Sequence, residues 1–377
     1  MKYFERLSPN SKAAALDELI SKYDYVKGEF NFQYRNSSQP ASKIDRKAPH
    51  RSNLKSSRGR VLYNTFEGIN EKYKKDKEIE ALMNNSALQN VFYGIDYAPR
   101  GVIAPICGAS LHEIMLDLAV LSRVTTRIRT YGMQCDQPNF VLDALLELGL
   151  NMTLSMGVWI GADENLNSAQ LSVMEDVLRS YPRRLFDSVM IGNEVLFRQE
   201  KSSNDLVNYI TKTKEILNRI GYTDLPVGTS EIGSKIDSMV LQSSDIIGAN
   251  VHPFFGGDDV KVATKWTLDF LHNQIAAKSG NKNIFVSEVG WPSGGGKYIN
   301  SVADRESLEY FINNWVCEVN KKDIEWYWFE AFDEPWKKIY DTPSTQWEAQ
   351  WGIFTSDRVL KITLPDCNDY ANSTAVN

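Results

Sequence analysis

From Val91 onward the chain repeats one pattern eight times: a short run rich in β-branched and aromatic residues, then a longer stretch with apolar residues every three or four positions. The β-rich runs fall near residues 91–98, 126–131, 151–159, 187–194, 225–231, 245–253, 283–289 and 324–332. Helix-period segments such as Leu111 to Val124, Asp205 to Ile220 and Ser307 to Val319 lie between them. Parallel strands need crossover connections, and eight strand–helix units in about 280 residues are what a closed (β/α)8 barrel requires. The competitor, an open doubly wound sheet, usually shows a glycine fingerprint after its first strand. Here that strand ends Gly94-Ile95-Asp96-Tyr97-Ala98-Pro99, without G-x-G-x-x-G, so an α/β fold of the TIM-barrel class is expected over residues 89–370.

The residues before the barrel are of another kind. Residues 1–90 hold 17 Lys and Arg against 11 Asp and Glu, whereas the remainder holds 25 against 37. Sustained apolar periodicity is missing from residues 1–88, and Lys43 to Arg60 is basic and rich in Ser, which predicts a flexible stalk; residues 371–377 read as a short tail. Without aromatic interleaving the basic run reads as a solvated linker rather than a nucleic-acid site, so no nucleic-acid partner is expected. The most apolar region, Val141 to Ala162, is interrupted by Asp143, Glu147 and Asn151, so no membrane-spanning helix is expected. The start, MKYFERLSPNSK, lacks an apolar signal core.

Cys107, Cys135, Cys317 and Cys367 show no C-x-x-C spacing and no neighbouring His, which argues against zinc and for two disulfides, with three pairings open. Sequons at Asn36, Asn84, Asn151 and Asn372 fit a secretory route.

Functional side chains of such a barrel sit where strands end and βα loops begin. The fourth strand ends Ile191-Gly192-Asn193-Glu194-Val195, and the seventh ends Val286-Ser287-Glu288-Val289-Gly290-Trp291. Either glutamate alone reads as a helix cap or ion-pair partner. As a pair on roughly opposite sides of the ring they can do what glycosidic bond cleavage needs: one acid to protonate the leaving oxygen, one carboxylate to attack or to activate water. Tyr97, Tyr131, Trp159, Phe254, Phe255, Trp291 and the run Trp326 to Phe329 lie at strand ends, where some can stack on sugar rings and others must be core. His252 is a strand-end histidine suited to bonding a carboxylate or a sugar hydroxyl. His50, His112 and His272 fall in the tail or in helices, so it has no metal-ligating company; neither metal nor cofactor is expected. The run Gly294-Gly295-Gly296-Lys297 fails as a phosphate loop, because Trp291 stands where the first glycine belongs and Tyr298 where Ser or Thr should follow. It reads instead as a flexible loop beside a groove.

At these positions the sequence resembles glycoside hydrolase family 17, the β-1,3-glucanases, and within it the fungal cell-wall branch with membrane-anchored glucan endo-1,3-β-glucosidases. The matching segments are FYGIDYAP, RIRTYGMQC, MIGNEVLFR, ANVHPFF, VSEVGWPSGGG, WFEAFDEPWK, WEAQWGIF and LPDC, spread over residues 91 to 367. The resemblance implies a retaining mechanism with Glu194 as proton donor and Glu288 as nucleophile. Retention expects their carboxyl groups about 5–5.5 Å apart and a raised pKa at Glu194. It further implies that Asn193 holds the substrate's 2-hydroxyl, that Tyr97, Tyr131, His252 and Trp291 line the groove, and that Glu334 and Lys337 support the pair. From family positions it implies the bridges Cys107–Cys135 and Cys317–Cys367. The expected partner is β-1,3-glucan, acted on by a monomer in the cell wall or at the outer face of the plasma membrane; where the anchored relatives carry a membrane helix before the barrel this chain has a basic stalk, so the anchor is either absent or upstream of this chain. Endo-hydrolysis is the leading activity. A glucanosyltransferase using the same intermediate is the rival, and an inactive glucan-binding wall protein is a third reading.

Overall fold

A computed structural model describes residues 76–103, 107–276, 283–322, 324–343 and 345–367. Each expected strand forms: β1 (Gly94–Asp96), β2 (Arg127–Arg129), β3 (Thr153–Val158), β4 (Phe186–Asn193), β5 (Val227–Ile232), β6 (Ile246–Asn250) and β7 (Asn283–Val289). The eighth barrel strand is β10 (Trp326–Trp328), preceded by a hairpin of β8 (Gly296–Tyr298) and β9 (Ser301–Ala303). The barrel closes in the order β1-β10-β7-β6-β5-β4-β3-β2, and its pairings are parallel. Around it lie α2 (Leu111–Leu121), α3 (Gln137–Glu147), α4 (Glu164–Ser180), α5 (Ser203–Ile220), α6 (Ser238–Ser243), α7 (Val260–Phe270) and α8 (Arg305–Val319), after a leading α1 (Lys77–Met83). This is the (β/α)8 barrel expected from the repeat.

Local chemistry explains the elements. Helix α5 starts at a capping box in which Ser202 and Asp205 satisfy each other's backbone N–H groups, and it stops at Gly221, whose φ of 82° suits a residue without Cβ. Between these ends Leu206, Ile210, Ile216 and Leu217 fall on one face and are buried. Strand β10 shows the period-two rule: Trp326 and Trp328 pack outward against Phe92, Phe311 and Trp315, while Tyr327 turns inward with Met190 and Phe285 to floor the barrel. Above this floor the interior is filled by small residues. A Cβ on Gly248 would come within 2.6 Å of the Ser230 and Ser287 hydroxyl oxygens, and the Ser155 and Ser188 hydroxyls are 2.7 Å apart. The next layer up is charged.

Two expectations change. The stalk was expected to reach residue 88, yet residues 77–83 form α1, capped by Asp76, with Ile79 fully buried against the barrel. A single apolar anchor on a capped turn escapes a search for sustained periodicity, and the rest of the expected stalk, residues 1–75, lies outside the described residues, as does the expected tail. The glycine run is not a loose loop. Gly295, at φ 105°, accepts a hydrogen bond from the Gln346 N–H, and a Cβ there would lie 2.2 Å from the Gln346 carbonyl carbon. Glycine permits close docking on residues 346–350. Among the described residues no helix is long and apolar enough to cross a membrane.

Candidate active site

Strand ends converge their polar groups on Arg129, at the end of β2. Its guanidinium is 1% exposed and donates to Asp96 Oδ1 at 2.9 Å, Glu288 Oε1 at 3.1 Å and Asn193 Oδ1 at 2.8 Å, linking β1, β7 and β4. Burial opposes its charge; Asp96 leads the neighbours that restore it and lift its pKa further. The second ligand of Glu288 is His252, whose Nε2 lies 3.1 Å from Oε2, with the imidazole edge set against Phe329 and Trp351. Burial alone would raise the pKa of Glu288. The hydrogen bond from His252 and the charge of Arg129 overcome that and hold it below the usual glutamate value.

Glu194 faces a different environment. It follows β4 at φ 56°, just after Gly192 at φ 77°, so a left-handed turn swings the side chain out of strand direction over the mouth. Its N–H donates to the Ser230 carbonyl at 2.8 Å, and Asn250 Nδ2 donates to its Oε1 at 3.0 Å. Ser287 Oγ donates to Asn250 Oδ1 at 2.6 Å, which fixes the orientation of that amide. Burial, then the negative charge of Glu288, raise the Glu194 pKa. The two carboxyls are thus pushed apart in acidity by separate surroundings.

Asn193 has its amide oxygen taken by both Arg129 and Asn250 (3.1 Å), so what it can offer a ligand is N–H. Lys337 lies between two carboxylates, donating to Glu330 at 3.0 and 3.1 Å and pairing with Glu334. Burial, then Glu334, drive the Glu330 pKa well above normal. Tyr131 stacks on the Arg129 guanidinium at 4.7 Å, and its buried hydroxyl has no hydrogen-bond partner among the described residues. Phe255 and Tyr298, 43% and 38% exposed, continue an aromatic ledge outward from His252.

Two residues expected in the groove are elsewhere. Tyr97 is fully buried, donating at 2.7 Å to Asp117 on α2, because the inward place on β1 belongs to its neighbour Asp96. Trp291 is fully buried against Phe254 and Phe311, with Nε1 donating to the Val302 carbonyl at 2.8 Å. Sequence reading passed over Asp96, Arg129, Asn250 and Glu330. Each is a polar residue at or just after a barrel strand's C-terminal end, a signal that was present but read only for glutamates and aromatics. Cys107 is joined to Cys135 and Cys317 to Cys367. Among the described residues no group of three or more His, Cys, Asp or Glu is arranged to hold a metal ion.

The BtgE/BtgC glycoside hydrolase domain matches residues 94–352. Over 318 residues the chain is 39% identical to the probable glucan endo-1,3-beta-glucosidase btgC of Aspergillus fumigatus, covering 78% of this chain and 46% of that protein. It is 37% identical over 318 residues to the glucan endo-1,3-beta-glucosidase btgC of Emericella nidulans, covering 78% and 49%. The chain therefore spans about half the length of the curated relatives it matches. Among solved structures it is similar to an active-site mutant of Rhizomucor miehei beta-1,3-glucanosyltransferase in complex with laminaritriose, at 28% identity and TM-score 0.65, over 74% of this chain and 98% of that one. An endo-laminarinase from Formosa, at 18% identity and TM-score 0.62 over 72% and 85%, shares the fold. With the matched residues enclosing all eight barrel strands and both glutamates, the chain belongs to the BtgE/BtgC glycoside hydrolase domain family.

Proposed function

We propose that this domain hydrolyses internal bonds of β-1,3-glucan with retention of configuration. The carrying observation is the different surroundings of the two buried carboxyls: His252 and Arg129 bond Glu288 and lower its pKa, while burial and the charge of Glu288 raise that of Glu194. Glu288 attacks the anomeric carbon while Glu194 gives its proton to the departing glycosidic oxygen, and the bond from carbon to that oxygen breaks. The glycosyl ester on Glu288 removes the negative charge that had raised the Glu194 pKa, so Glu194 becomes the base that takes a proton from water as the water's oxygen displaces Glu288. Asn193 N–H supports a substrate hydroxyl, Tyr131 and the Glu330–Lys337–Glu334 cluster keep the pair positioned, and the ledge of Phe255 and Tyr298 offers apolar faces to sugar rings. A neutral glucan meets no repulsion from an acidic barrel. The names of the curated relatives support this substrate. The two disulfides support an oxidising, extracellular setting.

The test is purified protein with laminarihexaose, beside Glu194→Ala and Glu288→Ala, following product length and anomeric configuration. Shorter β-anomeric products from the wild type, with activity lowered by at least about a hundredfold in each variant, are expected. α-Anomeric products would sink the retaining assignment. The second reading, transglycosylation, is favoured by the similarity to the Rhizomucor miehei glucanosyltransferase. Products longer than the starting hexamer would select it.

A further inference from the structure

We infer that Glu231 is a positioning residue for the proposed acid, clamping from behind the turn that carries Glu194. The inference rests on the assignment of Glu194 as proton donor.

Glu231 lies near the end of β5 and is fully buried. Its carboxyl reaches across to the turn that follows β4, where Oε1 accepts the Leu196 N–H at 2.6 Å and Oε2 the Phe197 N–H at 3.4 Å. That turn is the only covalent support of Glu194 on its C-terminal side, and Glu194 itself is in the left-handed region, which a residue with a side chain keeps only when its surroundings impose it. Further bonds close the turn: Arg198 N–H donates to the Glu194 carbonyl at 2.8 Å and Glu200 N–H to the Val195 carbonyl at 3.2 Å. A buried carboxyl committed to two backbone N–H groups is a costly device for holding a loop, since an amide or hydroxyl could accept with no charge to bury. Its two oxygens reach both N–H groups at once. Glu231 is faced by Glu194 and by Arg198 from that turn, and Glu194 in turn by Glu288 from β7, by His252 and Asn250 at the end of β6, and by Arg198. Burial foremost, with the nearby Glu194, pushes the Glu231 carboxyl up to about 7 against the pull of the two N–H groups. The negative charge of Glu194 is thus one of the influences that keep a proton on Glu231.

The test compares wild type, Glu231→Gln and Glu231→Asp on laminarihexaose and on dinitrophenyl β-laminaribioside, whose leaving group departs without needing a proton. For Glu231→Gln, kcat/KM on laminarihexaose is expected to fall about ten- to a hundredfold while kcat/KM on the aryl substrate, which does not include the later step in which Glu194 acts as base, stays within about twofold. Glu231→Asp keeps a carboxyl but shortens its reach to the Leu196 and Phe197 N–H groups, so it should show the same split between the two substrates. It carries the same test if Glu231→Gln does not fold. Equal losses on both substrates would overturn the inference and leave Glu231 a purely structural clamp. A wild type inert on both substrates would instead remove the assignment of the site on which the inference stands.

Discussion

Glu194 and Glu288 begin with the same intrinsic acidity and diverge through what each strand end sets beside them. For Glu288 the decisive neighbour is His252 at 3.1 Å, followed by Arg129. A folded-state pKa held below the free value means the ionised form persists as pH falls and is lost only below the usual range. Replacing His252 with Ala should therefore move the acidic limb of kcat/KM to higher pH, as a pH–rate profile would read directly; a limb that stays put would assign the depression to Arg129 alone. The buried trio beside the site gives a stability counterpart. Glu330 and Glu334 are 2% and 7% exposed and share Lys337, so Lys337→Met leaves two carboxyls without their cation at a cost of about 3–5 kcal/mol. Since the folded protein then keeps protons that the unfolded chain releases above its ordinary glutamate pKa, the deficit should widen as pH rises through the glutamate range toward neutrality. Urea melts at pH 4.5 and 7 would check the sign.

At the scale of elements, backbone chemistry is as decisive as apolar pattern. Ser202→Ala removes one half of the α5 capping box and should cost about 1 kcal/mol in a urea melt without touching activity. Gly295→Ala should cost more, roughly 1–3 kcal/mol, because a side chain would meet both a positive φ and the Gln346 backbone at 2.2 Å. If Gly295→Ala proved neutral, the docking of the glycine run on residues 346–350 would have to yield enough to admit a side chain. Strand parity explains how neighbours part company: Asp96 faces the barrel interior and Tyr97 faces α2, a difference of one residue that decides between site and core.

At the scale of the whole molecule, Cys317–Cys367 ties α8 to the end of the described chain across 50 residues, and Cys107–Cys135 joins two loops at the mouth. Replacing Cys317 and Cys367 by Ala should lower stability by about 4 kcal/mol on the loop-entropy estimate, seen as a lower thermal midpoint. What the sequence determined by itself is what repeats locally or is carried by contiguous residues: the eightfold strand–helix period, hence the closed barrel, and the two glutamates delivered at the ends of β4 and β7. What only the tertiary structure decided is everything that depends on neighbours far apart in the chain. Arg129 is brought to Glu288 across 159 residues, and Asn250 to Glu194 across 56. The sign of each carboxyl's shift, the burial of Tyr97 and Trp291, and the reach of Glu231 under the Glu194 turn follow from barrel closure. Periodicity specifies which face of an element is apolar, whereas the charge a side chain keeps is set by the field of residues that closure places around it.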